Sequence, residues 1–333
     1  MSFDDVHARR ATRARERRAR LRRRRLSAAL AALAVVLVAV VVAVALASSG
    51  SSPARLAAAD GAAGSAAAGP SLSSGAAAVP RASGHRATAA AGSGPARRVP
   101  ILMYHVIAPP PAGAPFPGLY VPAPEFSAQM AALKAAGWHA VTLDQLRAHW
   151  SRGVPLGPGK PVVVTFDNGY RSQYVNALPA LQRLGWVGVE NIQLSGLPPS
   201  QGGLTGAQVR GLIAAGWELD TQGISHADLI RLDASQLSYQ VATARSLLRR
   251  RYGVPVDWFC YPSGHYDATV IAAVRAAGFV GSTTVIPGWA SATEDPYRLP
   301  RLRVLGGTSP LALIAQIAAA GATSATPASY GGA

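Results

Sequence analysis

From Val99 onward the chain alternates between two hydrophobic periodicities. Short apolar runs at Pro100–His105, Ala140–Leu143, Val162–Asp167, Trp186–Leu194, Trp217–Thr221 and Trp258–Tyr261, with others near Gly281–Val285 and Arg301–Val304, read as strands. Between them Glu125–Gly137, Ser172–Leu184, Thr205–Ala215, Gln236–Tyr252, Ala268–Ala277 and Pro310–Ala320 space their apolar residues as helices do. Strands alternating with helices predict right-handed βα units around a parallel sheet. About seven such units in one domain fit a distorted (β/α) barrel, with a doubly wound open sheet as the alternative. The clearest strand is Val162-Val163-Val164-Thr165-Phe166, apolar at successive positions as a strand buried on both faces must be. It stops at Asp167, Asn168 and Gly169, and so delivers polar groups to the carboxyl edge of the sheet, where α/β enzymes place their chemistry.

The first hundred residues follow another pattern. Residues 1–25 hold eleven Arg against Asp4, Asp5 and Glu16, and residues 26–48 carry no charge and are mostly Ala, Val and Leu. About 20 apolar residues span a bilayer, and a preceding Arg cluster keeps its own end in the cytoplasm. This predicts a cytoplasmic tail at 1–25, a single-pass signal anchor at 26–48 and a domain outside the cytoplasm. Cleavage near Ala47, after Ala45-Leu46-Ala47, is the alternative and would leave a secreted protein. Residues 49–97 are almost entirely Ala, Gly, Ser, Pro and Thr, too poor in bulky apolar groups to offset the entropy of ordering, and read as a disordered linker. The folded domain is expected at 98–321, with a disordered tail at 322–333.

The formal charge of +16 changes meaning once it is divided. From Arg98 to the end there are 17 basic and 12 acidic residues, so much of the excess belongs to the tail. Because the Arg run abuts a membrane span, nucleic acid is not an expected partner. Cys260 is the single cysteine, which excludes an intrachain disulfide and a cysteine metal cluster. Any metal would rest on His, carboxylate and amide groups.

Four blocks carry candidate chemistry. Thr165-Phe166-Asp167-Asn168-Gly169-Tyr170 resembles the T-F-D-D-G signature of the polysaccharide deacetylases, carbohydrate esterase family four, also called the NodB homology domain. The resemblance implies that Asp167 is the catalytic base and that Asn168 stands where the family has an aspartate metal ligand. Gln222-Gly223-Ile224-Ser225-His226 resembles the family's H-[ST]-x-x-H, with His226 at the second histidine and Gln222 at the first. Phe259-Cys260-Tyr261-Pro262-Ser263-Gly264-His265-Tyr266-Asp267 resembles F-x-Y-P-x-G-x-Y-[DN], which implies that Tyr261 and Pro262 form a wall of the sugar groove and that the Tyr261 N–H helps to hold an oxyanion. Met103-Tyr104-His105 is similar to the M-Y-H of the biofilm poly-N-acetylglucosamine deacetylases, implying a general-acid role for His105. Arg301 resembles a late family arginine that orients the aspartate at Asp167; an exposed strand arginine is the alternative.

The resemblance implies a divalent, zinc-type cofactor. A zinc-type site wants three matching protein ligands and one open position. Asn168 and Gln222 offer only neutral amide oxygens, so metal binding is expected to be weak or absent. Asp220 and Asp228, two residues from Gln222 and from His226, are the carboxylates that could rebuild a site. Trp217, Trp258 and Trp289 could stack on sugar rings or pack in the core. The expected function is an exported, membrane-anchored polysaccharide deacetylase-family protein acting on N-acetyl groups of a cell-envelope polysaccharide. The alternative is a relative that binds glycan without turnover.

Overall fold

In the strand Lys160–Asn168 (β3) successive side chains enter different cores, which is what its unbroken apolar run requires. Val162, Val164 and Phe166 pack outward with Phe126, Met130, Leu181 and Trp217. Val163 packs inward with Ile101, Val189, Trp258 and Leu299, which come from other strands around the sheet. The computed structural model describes residues 97–332 apart from 196, 198–201 and 323–325. These belong to one unit, Gly84–Ala333. The expected cytoplasmic tail and signal anchor, and the linker up to residue 96, lie outside the described residues. Among the described residues no helix is long and apolar enough to cross a membrane.

Around β3 the strands Val99–Tyr104 (β1), Val189–Ile192 (β4), Glu218–Thr221 (β5), Trp258–Cys260 (β6) and Gly281–Thr283 (β7) run parallel in the order β7-β6-β5-β4-β3-β1. Trp138–Val141 (β2) pairs with the start of β3, and Leu302–Arg303 (β9) with β1. Trp289–Ala290 (β8) pairs antiparallel with Val99 and Pro100, an element the hydrophobic pattern does not announce. Leu299 pairs with Thr283 of β7 and Leu302 with Leu102 of β1, so one short segment links the two ends of the sheet. The result is a distorted barrel with helices alternating between its strands, rather than an open doubly wound sheet.

Two departures from the predicted elements have local causes. The strand expected at Ala140–Leu143 ends at Val141, because Thr142 caps a helix over Leu143–Arg152. Its hydroxyl accepts from Gln145 N–H at 3.2 Å, and the Gln145 side chain accepts from Thr142 N–H at 2.9 Å. The helix expected over Ser172–Leu184 opens with a wide π turn at Gln173–Ala177 before Leu178–Gln182, where Pro179 has no N–H to bond back one turn. The chain end also differs from the expected disordered tail. Tyr330 exchanges two 2.8 Å backbone hydrogen bonds with Tyr266, and Tyr266 Oη donates to Pro327 O at 2.7 Å.

Candidate active site

The carboxyl ends of β1, β3, β4 and β5 and the turn after β6 meet around a cleft of about 580 Å³, lined among others by His105, Asp167, Asn168, Gln193, Gln222 and His226. At the end of β3 the backbone turns into the left-handed region, with φ of 80° at Asn168. Asparagine and aspartate tolerate that conformation better than other side chains do. His226 turns the same way, at 55°. Gly264 is fixed by a close approach: a Cβ there would lie 2.3 Å from Val285 Cγ2 on the wall of the cleft.

Asp167 is 1% exposed and is held from several sides. Arg301 Nη1 donates to Oδ1 and Nη2 to Oδ2, both at 2.8 Å, and Asn191 Nδ2 donates to Oδ1 at 2.9 Å. The Arg301 side chain is itself wholly buried, tied by Nε to Thr284 O and by Nη1 to Thr165 Oγ1. Burial pushes the Asp167 carboxyl up, but the charge and hydrogen bonds of Arg301 more than offset this and hold it at about 2. His105 Nε2 lies 4.0 Å from Asp167 Oδ2. Burial lowers the His105 pKa to about 4 despite the opposing pull of Asp167, so the imidazole is neutral at pH 7. Gln173 Nε2 clamps the two strand ends together, donating to His105 O and to Asp167 O at 2.8 Å each.

Asn168, Gln222 and His226 line the same cleft. Asn168 Nδ2 donates to Gln193 Oε1 at 2.7 Å, and Gln193 Nε2 donates to Ser195 O at 2.8 Å. Gln222 is buried, and its Oε1 has no hydrogen-bond partner. Burial lowers the His226 pKa, against the pull of Asp167.

The carboxylates that could have rebuilt a metal site point elsewhere. Asp220 Oδ1 accepts from the N–H groups of Asp257 and Trp258 at the start of β6, and Asp228 pairs with His265 Nδ1 at 3.0 Å and Arg231 Nε at 2.8 Å. Tyr261 lines the cleft, but its N–H is directed at Thr283 O at 3.4 Å in the sheet and its hydroxyl donates to Tyr297 O. Pro262 and Arg301 are buried behind the cleft wall. Trp217 stacks on Phe166, Trp258 donates to Asp144, and Trp289 packs on Trp138; all three serve the core.

Sequence reasoning missed Asn191, Gln193 and Gln173. The signal for the first two was present: in Val189-Glu190-Asn191-Ile192-Gln193 the polar residues at 191 and 193 share a face with Val189.

A zinc-type site takes three matching donors, and the positions that the sequence motifs align with them hold Asn168, Gln222 and His226. Among the described residues no three His, Cys, Asp or Glu side chains gather where they could hold a metal. Asn168 and Gln222 supply neutral amides, and the nearby carboxylate of Asp167 is already neutralised by the Arg301 fork.

Residues 156–282 match the family model described as polysaccharide deacetylase. Over 212 residues the chain is 28% identical to YxkH of Bacillus subtilis strain 168, described as a candidate polysaccharide deacetylase; the match covers 64% of this chain and 73% of that one. A 61-residue stretch is 43% identical to the poly-β-1,6-N-acetyl-D-glucosamine N-deacetylase of Escherichia coli K12, covering 18% of this chain but 9% of that one. Among solved structures the Streptococcus pyogenes deacetylase PplD superposes with a TM-score of 0.61 at 24% identity, over 67% of this chain and 99% of that one.

Proposed function

We propose, from the premise that this chain belongs to the polysaccharide deacetylase family, that it holds an N-acetylated envelope glycan in the cleft without metal-dependent turnover. The observation that carries this reading is the pair of amides at 168 and 222. With Asn168 hydrogen-bonded to Gln193 and Gln222 uncharged, the place of two metal ligands offers hydrogen-bonding groups to a sugar amide and little to a cation. The neighbouring groups point the same way. Both oxygens of Asp167 already accept from Arg301, and Asn191 donates to one of them as well, so the carboxylate is largely engaged before any water reaches it. Without a Lewis acid, the attacking water keeps a pKa near 15.7. The uncharged stretch at 26–48 behind eleven Arg supports a membrane tether that leaves the domain outside the cytoplasm.

A second reading, hydrolysis of N-acetyl groups, is favoured by one observation: Asp167, His105 and His226 all line one cleft. Titrating the full chain with N-acetylglucosamine oligomers, with and without chelator, while assaying released acetate separates the two. Saturable binding that ignores the chelator, with no acetate released, is expected. Acetate release abolished by the chelator establishes the second reading instead.

A further inference from the structure

The cleft at Asn168 has a neighbour. Gln193 and Leu197 also line a second cleft of about 750 Å³, which runs past Gly203 and Leu248 to Arg250, Arg251 and Tyr252. The two clefts share that wall, and across the pair, called the trough below, the charge is one-sided. The cations on the first part reduce to Arg303, opposite the single carboxylate of Asp167, and those on the second are Arg250 and Arg251. Asp167, the sole carboxylate among these lining residues, is spent on Arg301.

The arginines are unspent. Arg303 is exposed and forms no ion pair among the described residues. Arg250 and Arg251 are exposed too and likewise unpaired; Arg250 donates to Ser246 Oγ, and the Arg251 guanidinium lies 5.5 Å from the Tyr252 ring. Exposed aromatic side chains stand near both ends, Phe116 at 69% and Tyr239 at 54% exposure. Arginines in the last turn of the helix Ala244–Tyr252 complement its dipole, but that accounts neither for Arg303 nor for a trough without a free carboxylate. A groove lined by one sign of charge concentrates ligands of the other, and guanidinium forks match carboxylate and phosphate.

We infer that the trough takes an anionic glycan, an N-acetylated chain bearing carboxylate or phosphodiester groups. This rests on the reading of the cleft as a glycan site and adds the class of glycan. The test measures dissociation constants of the full chain for three probes at low and high salt: a hyaluronan hexasaccharide, a glycerol-phosphate polymer carrying N-acetylglucosamine, and neutral chitohexaose. At low salt at least one anionic probe is expected to bind about tenfold or more tighter than chitohexaose, a margin that salt erodes. Arg250→Gln with Arg251→Gln is expected to cut that affinity about tenfold, and both residues are exposed enough for the fold to survive. Preference for hyaluronan alone assigns the carboxylate, for the phosphate polymer alone the phosphodiester, and for both the shared charge. Chitohexaose binding as tightly as both anionic probes, or a double variant with unchanged anionic affinity, overturns the inference and leaves the glycan site standing. Binding of none of the three overturns both.

Discussion

Replacing Arg301 by Met removes the two 2.8 Å donors of a buried carboxylate and leaves it only Asn191 and the weak Cys260 thiol. Breaking a buried ion pair on one side costs about 3–5 kcal/mol, against a total stability on the order of 5–15 kcal/mol. The pH dependence sharpens the prediction. In the native chain Asp167 is held at about 2 against the ordinary 3.8, so its stabilisation is complete above the ordinary value and is lost as pH falls through about 2. That depression corresponds to about 2 kcal/mol. Without Arg301, burial dominates and lifts the carboxyl above its ordinary range, so the variant loses stability as pH rises through that range. The gap between the two proteins therefore widens from about pH 3 to pH 7. Urea denaturation across that range measures it, with Asp167→Asn/Arg301→Met as the control that carries no charge. The control should be more stable than Arg301→Met at pH 7. A cost for Arg301→Met below about 1 kcal/mol, or one equal at both ends of the range, would show that Arg301 does not hold the charge of Asp167.

Three further outcomes follow from the same geometry. His105 is held at about 4 against 6.5, so the unfolded chain takes up its proton first and stability falls by about 3 kcal/mol as pH drops from 6.5 through 4. His105→Gln should flatten denaturation midpoints across that window. Glu190 is fully buried with both carboxylate oxygens unpartnered, and burial raises its pKa. Glu190→Leu should therefore stabilise the domain by about 1–2 kcal/mol at pH 7, and by more as pH rises, in thermal or urea unfolding. Phe116 is 69% exposed on the rim of the cleft. Phe116→Ala should leave stability within about 0.5 kcal/mol and weaken binding of N-acetylglucosamine oligomers about twofold to tenfold by calorimetry.

The barrel was legible because its strands obey a simple rule: β3 is apolar at Val162, Val163, Val164 and Phe166, on inward and outward positions alike, and helical spacing returns after most of the runs. The antiparallel strand β8 was not, because its two residues are specified by their neighbours rather than by their own pattern, whereas β9 falls inside the run expected near Arg301–Val304. The helix Leu143–Arg152 went unread although its Thr142/Gln145 capping box is present in the sequence. The positions of Asp167, Asn168 and Gln222 in one cleft followed from strand ends. The depth of Arg301 did not, since its partners Asp167, Thr165 and Thr284 lie up to 136 residues away in the chain. Asp220 and Asp228 showed the limit of spacing arguments: both sit near the site in sequence, and each is drawn off by a different donor.

If Asn168 and Gln222 stand where a metal's ligands would, the native chain should bind zinc poorly, and its metal content measures this. Asn168→Asp with Gln222→His would place a carboxylate and an imidazole beside His226, and the left-handed backbone at 168 accepts aspartate as readily as asparagine. The native chain and this double variant should be dialysed against zinc and analysed for bound metal. The native chain should hold substoichiometric metal and the variant about one ion per chain. One tightly held ion per native chain would contradict it.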